Sequence, residues 1–138
     1  MKTNVLPLPV ATQMEQAQEV LSLTHEQLLR FCREHGYAFL VHADPYVALE
    51  DYTIYFDTCA TLECSFYKRS DRVAYDTCQS ACIGLDNHID ATPYLQYCNR
   101  FEASFCGRRW IIPDTNIEIA YSIYHQGRQQ FRLQILEE

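Results

Sequence analysis

Glycine, lysine and long apolar stretches are all scarce in this sequence, and each shortage removes a class of protein. Only four glycines occur, at 36, 84, 107 and 127. No Gly-x-Gly-x-x-Gly or other phosphate-cradling loop can be assembled from them, so nucleotide chemistry of the usual kinds is not expected. Lysine appears only at positions 2 and 68, the other nine bases being arginine. Residues 1–69 carry nine acids against five bases and residues 70–138 nine against six, for a net charge of −7. With neither half basic, direct nucleic-acid binding is not expected, because such binding rests on replacing condensed counterions with a cationic face. The apolar run at residues 5–11 is broken by Pro7 and Pro9, and the longest wholly apolar run elsewhere is residues 37–41. Neither suits a signal segment or a membrane span, so the expectation is a cytoplasmic protein without membrane association.

What is present reads as one folded domain. A chain of 138 residues that is 48% apolar and 21% charged is long enough to bury a core without disulfides or a structural metal. Seven cysteines cannot all pair internally. They read as reduced thiols acting as small buried hydrophobes. Residues 1–11 read as an extended arm and residues 12–138 as a single α+β domain.

Helical periodicity places two helices at about 12–21 and 25–35, with one kinked helix as the alternative. Thr12 and Glu15 form a capping-box pattern, as do Thr24 and Gln27, and Gly36 is the natural stop. Strands follow at 37–42, 47–57 and 61–67, the second alternating Tyr52, Ile54 and Phe56 with Thr53, Tyr55 and Asp57. Residues 72–85 read as helical because Val73, Cys78, Cys82 and Leu85 can share a face. Thr92-Pro93 predicts a helix start, with Tyr94, Cys98, Phe101 and Phe105 on one face and Gly107 ending it. Strands at 108–112, 116–124 and 129–136 complete the chain. In the last two, Ile117, Ile119, Tyr121 and Ile123 match Phe131, Leu133 and Ile135, which is the signature of a hairpin. The fold class expected is α+β, an antiparallel β-sheet with N-terminal and central helices packed on it.

The chemical motifs are weak. Cys78, Cys82, Cys98 and Cys106 with His88 could supply soft metal ligands, but paired Cys-x-x-Cys knuckles are absent, so no metal or other cofactor is expected. Cys32 and His35 could form a thiol–base pair, yet they lie on the face assigned to the core. No catalytic residue is assigned.

One compositional feature points outward. Residues 35–67 contain no lysine or arginine but hold Asp44, Glu50, Asp51, Asp57 and Glu63. Tyr46, Tyr52 and Tyr55 lie between these acids, and tyrosine is enriched where binding energy concentrates. These eight residues form the expected partner-binding set, and the expected partner is a protein with a basic surface. The function expected is therefore a small acidic non-enzymatic protein-binding module: an inhibitor, adaptor or chaperone, an anti-defence inhibitor of a nucleic-acid-handling complex being one case. The alternatives are a cysteine/histidine-dependent enzyme or metal-binding module, and a structural subunit of a homo-oligomer.

Overall fold

The computed structural model describes residues 8–44, 49–57, 60–67, 77–86, 88–103, 108–124 and 127–136. Two helices come first, α1 (Val10–Val20) and α2 (His25–His35), followed by β1 (Ala38–Asp44), β2 (Leu49–Tyr55), β3 (Ala60–Tyr67) and β4 (Ser80–Leu85). Helix α3 (Thr92–Cys98) leads into β5 (Glu102–Ala103), β6 (Arg109–Ile111), β7 (Ile117–Ile123) and β8 (Gln129–Ile135). The strands form one eight-stranded sheet in the order β1-β2-β3-β4-β8-β7-β6-β5, antiparallel at every pairing. This is the expected α+β class.

A helix followed by a four-stranded meander occurs twice, and the two meanders join where β4 pairs with β8. The strand order is symmetric about that seam, although the sequences of the halves show no repeat.

Local chemistry explains most of the element ends. At α2 the Thr24 hydroxyl accepts from Gln27 N–H while the Gln27 side chain accepts from Thr24 N–H, a complete capping box that satisfies two otherwise orphaned donors. Gly36 closes the helix at φ 69°, ψ 28°, left-handed values that suit glycine. The capping box expected at Thr12 does not form. Helix α1 begins at Val10 with Pro9 as its N-cap and no side-chain cap bond, and the Gln13 amide, donating to Leu8 C=O at 2.9 Å, steadies the start instead. At α3 the cap is not the Thr92 hydroxyl. The Asp90 carboxylate accepts from both Thr92 N–H (2.9 Å) and Thr92 O–H (2.6 Å).

Three further expectations are corrected. Residues 80–85, read as helical, form β4, Thr77 just before them makes an isolated antiparallel bridge with Thr24, and residues 72–76 of that reading lie outside the described residues. Helix α3 stops at Cys98 rather than running to Phe105, because Glu102 and Ala103 pair with Ile111 and Trp110 as β5. The sheet therefore has two strands more than the sequence reading supplied. Ile123, expected on the core face of its strand, is 54% exposed at the end of β7.

The helices all lie on one side. His25 of α2 stacks on Phe66 of β3 with ring centroids 3.9 Å apart, and Tyr94 of α3 stacks on Phe131 of β8 at 5.5 Å. Helix α1 is tied in by buried amides: Tyr94 O–H donates to Gln13 Oε1 at 2.8 Å and Tyr37 O–H to Gln16 Oε1 at 2.7 Å. Beneath them Met14, Ala17, Leu28, Ile54, Leu62, Ile83, Ile119, Phe131 and Leu133 are fully buried. The final hairpin is in the expected register, with Ile117 opposite Ile135, Ile119 opposite Leu133 and Tyr121 opposite Phe131.

Ile119→Ala should cost about 2–5 kcal/mol, because it empties a filled core position. Ile123→Ala, two turns of the pleat away, should change stability by less than about 0.5 kcal/mol. Urea denaturation of the two variants measures both, and equal losses would contradict the burial difference.

Candidate functional site at the open sheet face

With the helices on one side, strand alternation sends every second residue to the opposite, open face. Register defines its rows. Leu40, Thr53, Glu63, Cys82, Arg132, Ala120 and Arg109 follow one another across seven strands. A flanking row runs Ala38, Tyr55, Thr61, Gly84, Gln130 and Ser122, and another His42, Asp51, Ser65, Ser80, Gln134 and Glu118.

This geometry divides the expected partner-binding set. Asp51, Tyr55 and Glu63 are on the open face. Glu50 and Tyr52, of the opposite parity, point to the helix side, where Tyr52 is 4% exposed. There the Tyr52 hydroxyl lies 2.9 Å from His25 Nδ1 and donates to Glu50 Oε1 at 3.4 Å, with His25 Nδ1 3.7 Å from Glu50. Burial, followed by the Glu50 charge, pushes the Tyr52 hydroxyl pKa up. Asp57 organises the turn after β2, accepting from Ala60 N–H at 3.0 Å and from Leu8 N–H at 3.1 Å. The Asp44 side chain and Tyr46 lie outside the described residues. Of the five acids, Asp51 and Glu63 thus remain together on the open face, and Asp51 Oδ1 is a buried oxygen without a hydrogen-bond partner.

The face also holds residues that the sequence reading did not assign to a site. A cavity of about 290 Å³ opens between Glu63, Cys82, Gly84, Tyr124, Arg128, Gln129 and Gln130. Cys82 forms part of its floor, with Arg132 and Gln130 hydrogen-bonded to its sulfur. Burial nevertheless prevails and raises the thiol pKa, with Glu63 adding to the rise. Recognising this cavity required β4 to be seen as a strand, and the one local signal was Gly84 within it.

The two ends of the sheet differ sharply. Strand β5 is two residues long and exposed. Strand β1 is a seven-residue edge with apolar side chains exposed on both sides, Leu40 (51%) on the open face and Val41 (47%) on the other. Tyr55, 40% exposed, is the diagonal neighbour of Leu40. Natural edge strands are usually guarded by lysine, proline, bulges or shortness. The sequence of β1, AFLVHAD, contains no lysine or proline.

Five cysteines, Cys32, Cys64, Cys78, Cys82 and Cys98, are free and buried, while Cys59 and Cys106 lie outside the described residues. Among the described residues no group of three His, Cys, Asp or Glu side chains is arranged to hold a metal ion. Cys32 and His35, read as a packed cysteine beside a boundary histidine, are placed accordingly: Cys32 is fully buried in the core, whereas His35 stacks on Tyr37 with centroids 5.3 Å apart. Burial raises the Cys32 pKa to about 11 and the Cys98 pKa to about 12. Above pH 9 the unfolded chain therefore releases these protons while the folded chain keeps them, so stability should fall as pH rises from 9 towards 11–12. Denaturation midpoints across that range should decline, and the double variant Cys32→Ala/Cys98→Ala should decline less steeply; equal slopes would show that these thiols do not contribute.

No protein-family model matches the chain, and comparison with curated proteins and with solved structures likewise finds no match.

Proposed function

We propose that the protein is a non-enzymatic binding module that takes an extended, basic segment of a partner protein as an additional strand along β1. The observation that carries this reading is the edge itself, seven residues long with Leu40 and Val41 exposed on its two sides. Strand addition supplies affinity through main-chain hydrogen bonds and selectivity through alternate side chains. Leu40 and Tyr55 offer an apolar contact to one set of alternating side chains, and Val41 to the other.

Charge selects the partner. The segment from residue 35 to 67 contains no lysine or arginine, and Asp51 and Glu63 stand on the open face one and two strands in from β1. Arginine and lysine side chains of an incoming strand would meet a negative field and no like charge from this segment, which favours fast, salt-sensitive association. An inhibitor, an adaptor or a chaperone would all use such an edge, as would an inhibitor directed at the basic channel of a nucleic-acid-handling complex.

Synthetic peptides alternating apolar residues with arginine or lysine provide the test. They should bind with affinity that falls as salt rises, slow amide hydrogen exchange in β1, and lose binding when alternate peptide nitrogens are methylated in the register that faces β1. Leu40→Lys/Val41→Lys should weaken binding by about tenfold or more with unchanged circular dichroism. Binding indifferent to N-methylation, or protection confined to other strands, would overturn strand addition. A concentration-dependent dimer protected at β1 would assign the edge to a second copy of the chain.

A further inference from the structure

The cavity on the open face is separate from the β1 edge, and its chemistry points to a small-molecule ligand. Its walls carry one acid and one base that do not neutralise each other. Neither Glu63 nor Arg128 takes part in an ion pair among the described residues, although both line the same 290 Å³ space. Elsewhere on this face opposite charges do close on each other: Arg109 and Glu118, on adjoining strands, meet at 3.4 Å. In the cavity the separation is built into the register. Glu63 stands opposite Cys82, whereas the Arg128 guanidinium lies over Gly84, two residues further along β4.

Gly84 leaves room beneath Arg128. No left-handed backbone angle requires glycine there, so its role is spatial. A Cβ at this position would stand 3.1 Å from Thr61 Oγ1 and 3.7 Å from an Arg128 guanidinium nitrogen, taking up cavity space on the Arg128 side. Thr61 Oγ1 is itself a buried oxygen without a hydrogen-bond partner. Arg132, on the neighbouring row, is engaged with the Cys82 sulfur, and among the described residues lining the cavity Arg128 is the cation. The rest of the wall, Tyr124, Gln129 and Gln130, supplies an aromatic surface and neutral amides.

We propose that this cavity binds a small zwitterion of amino-acid or dipeptide size, with its ammonium group at Glu63 and its carboxylate at Arg128 above Gly84. A simple anion would leave Glu63 unpaired and repelling it, and a simple cation would do the same at Arg128. Only a ligand carrying both charges, spaced as the two side chains are, satisfies the site. Guanidinium–carboxylate geometry can be bidentate, which orients the ligand, and the volume lies at the small end of the range for ligand sites. The inference does not rest on the strand-addition reading; the two share Glu63, and Arg128→Gln and Gly84→Ala test the cavity without altering the acidic face invoked for β1.

The experiment uses the full chain, titrated by calorimetry and amide chemical shift with the common L-amino acids and simple dipeptides. For each binder the matching amine without the carboxylate and the matching acid without the ammonium are included. The expected result is saturable binding of one chemical subset, with shifts at Glu63, Gly84 and Arg128, and roughly tenfold or greater weakening for both truncated analogues. Glu63→Gln should remove the advantage of the zwitterion over its acid, and Arg128→Gln its advantage over its amine. Gly84→Ala should abolish binding by filling the floor, and circular dichroism of all three variants checks that the fold persists. No saturation by any member of the panel, an acid that binds as tightly as its parent, or unchanged affinity in Glu63→Gln and Arg128→Gln would each overturn the proposal.

Discussion

Everything in this fold depends on the pairing of β4 with β8. Each meander is a four-stranded sheet with one apolar face. Joining them at Ala81–Leu133 and Ile83–Phe131 makes a single apolar floor that α1, α2 and α3 can share. Helix α1 packs against both β4 and α3, so the two halves are bridged above the seam as well as within it. The α1–α2 connection is fastened there too: Ser22 N–H donates to Cys78 C=O at 2.9 Å and Cys78 N–H to Leu23 C=O at 2.8 Å, at the entrance to β4. Because the helices among the described residues all lie on one side, none of them covers the other face, where Ser80, Cys82 and Glu118 are nonetheless buried within the sheet's own polar side chains.

How much of this was legible depends on whether the signal was local. The β7–β8 hairpin could be read because both strands alternate cleanly, so that Ile119 and Leu133 announce the same face. Helix α2 was legible from Thr24, Gln27 and Gly36, which are bonded within a few residues of one another. Strand β4 was not, because a strand at the centre of a sheet can be buried on both faces. Ser80, Ala81, Cys82 and Ile83 are all buried, which erases period-two alternation and lets Cys78, Cys82 and Leu85 imitate a helical stripe. Strand β5 was missed for the opposite reason. Two residues carry no period at all.

The candidate site shows the same division. The acid-rich, base-free segment was visible as composition, but alternation sends the adjacent residues Glu50 and Asp51 to opposite sides of the sheet. His25 reaches Glu50 and Tyr52 from the start of α2, a contact that no inspection of residues 44–63 could reveal. The cavity between Glu63 and Arg128 is still less local, since it exists only when β3, β4 and β8 are side by side. Sequence proximity identified a strand at 37–42, and tertiary register alone identified it as the edge on which Leu40 stands and β4 as the floor on which Gly84 stands.

The seam also sets the order in which the molecule can be assembled. Its register partners, Leu85 with Gln129 and Ser80 with Gln134, are about fifty residues apart in sequence, so closing it carries a large loop entropy and belongs to the slow, high-contact-order class of folding events. The first meander can form as soon as β4 has been synthesised, and β4 then waits as an outer strand whose sequence, SACIGL, contains no charge to discourage pairing with another chain. During that interval the nascent protein presents two adhesive borders, one at each side of the half-built sheet. Arrival of β8 seals the inner border for good, and the mature sheet is left with β1 as its one long border, the opposite end being the two-residue β5.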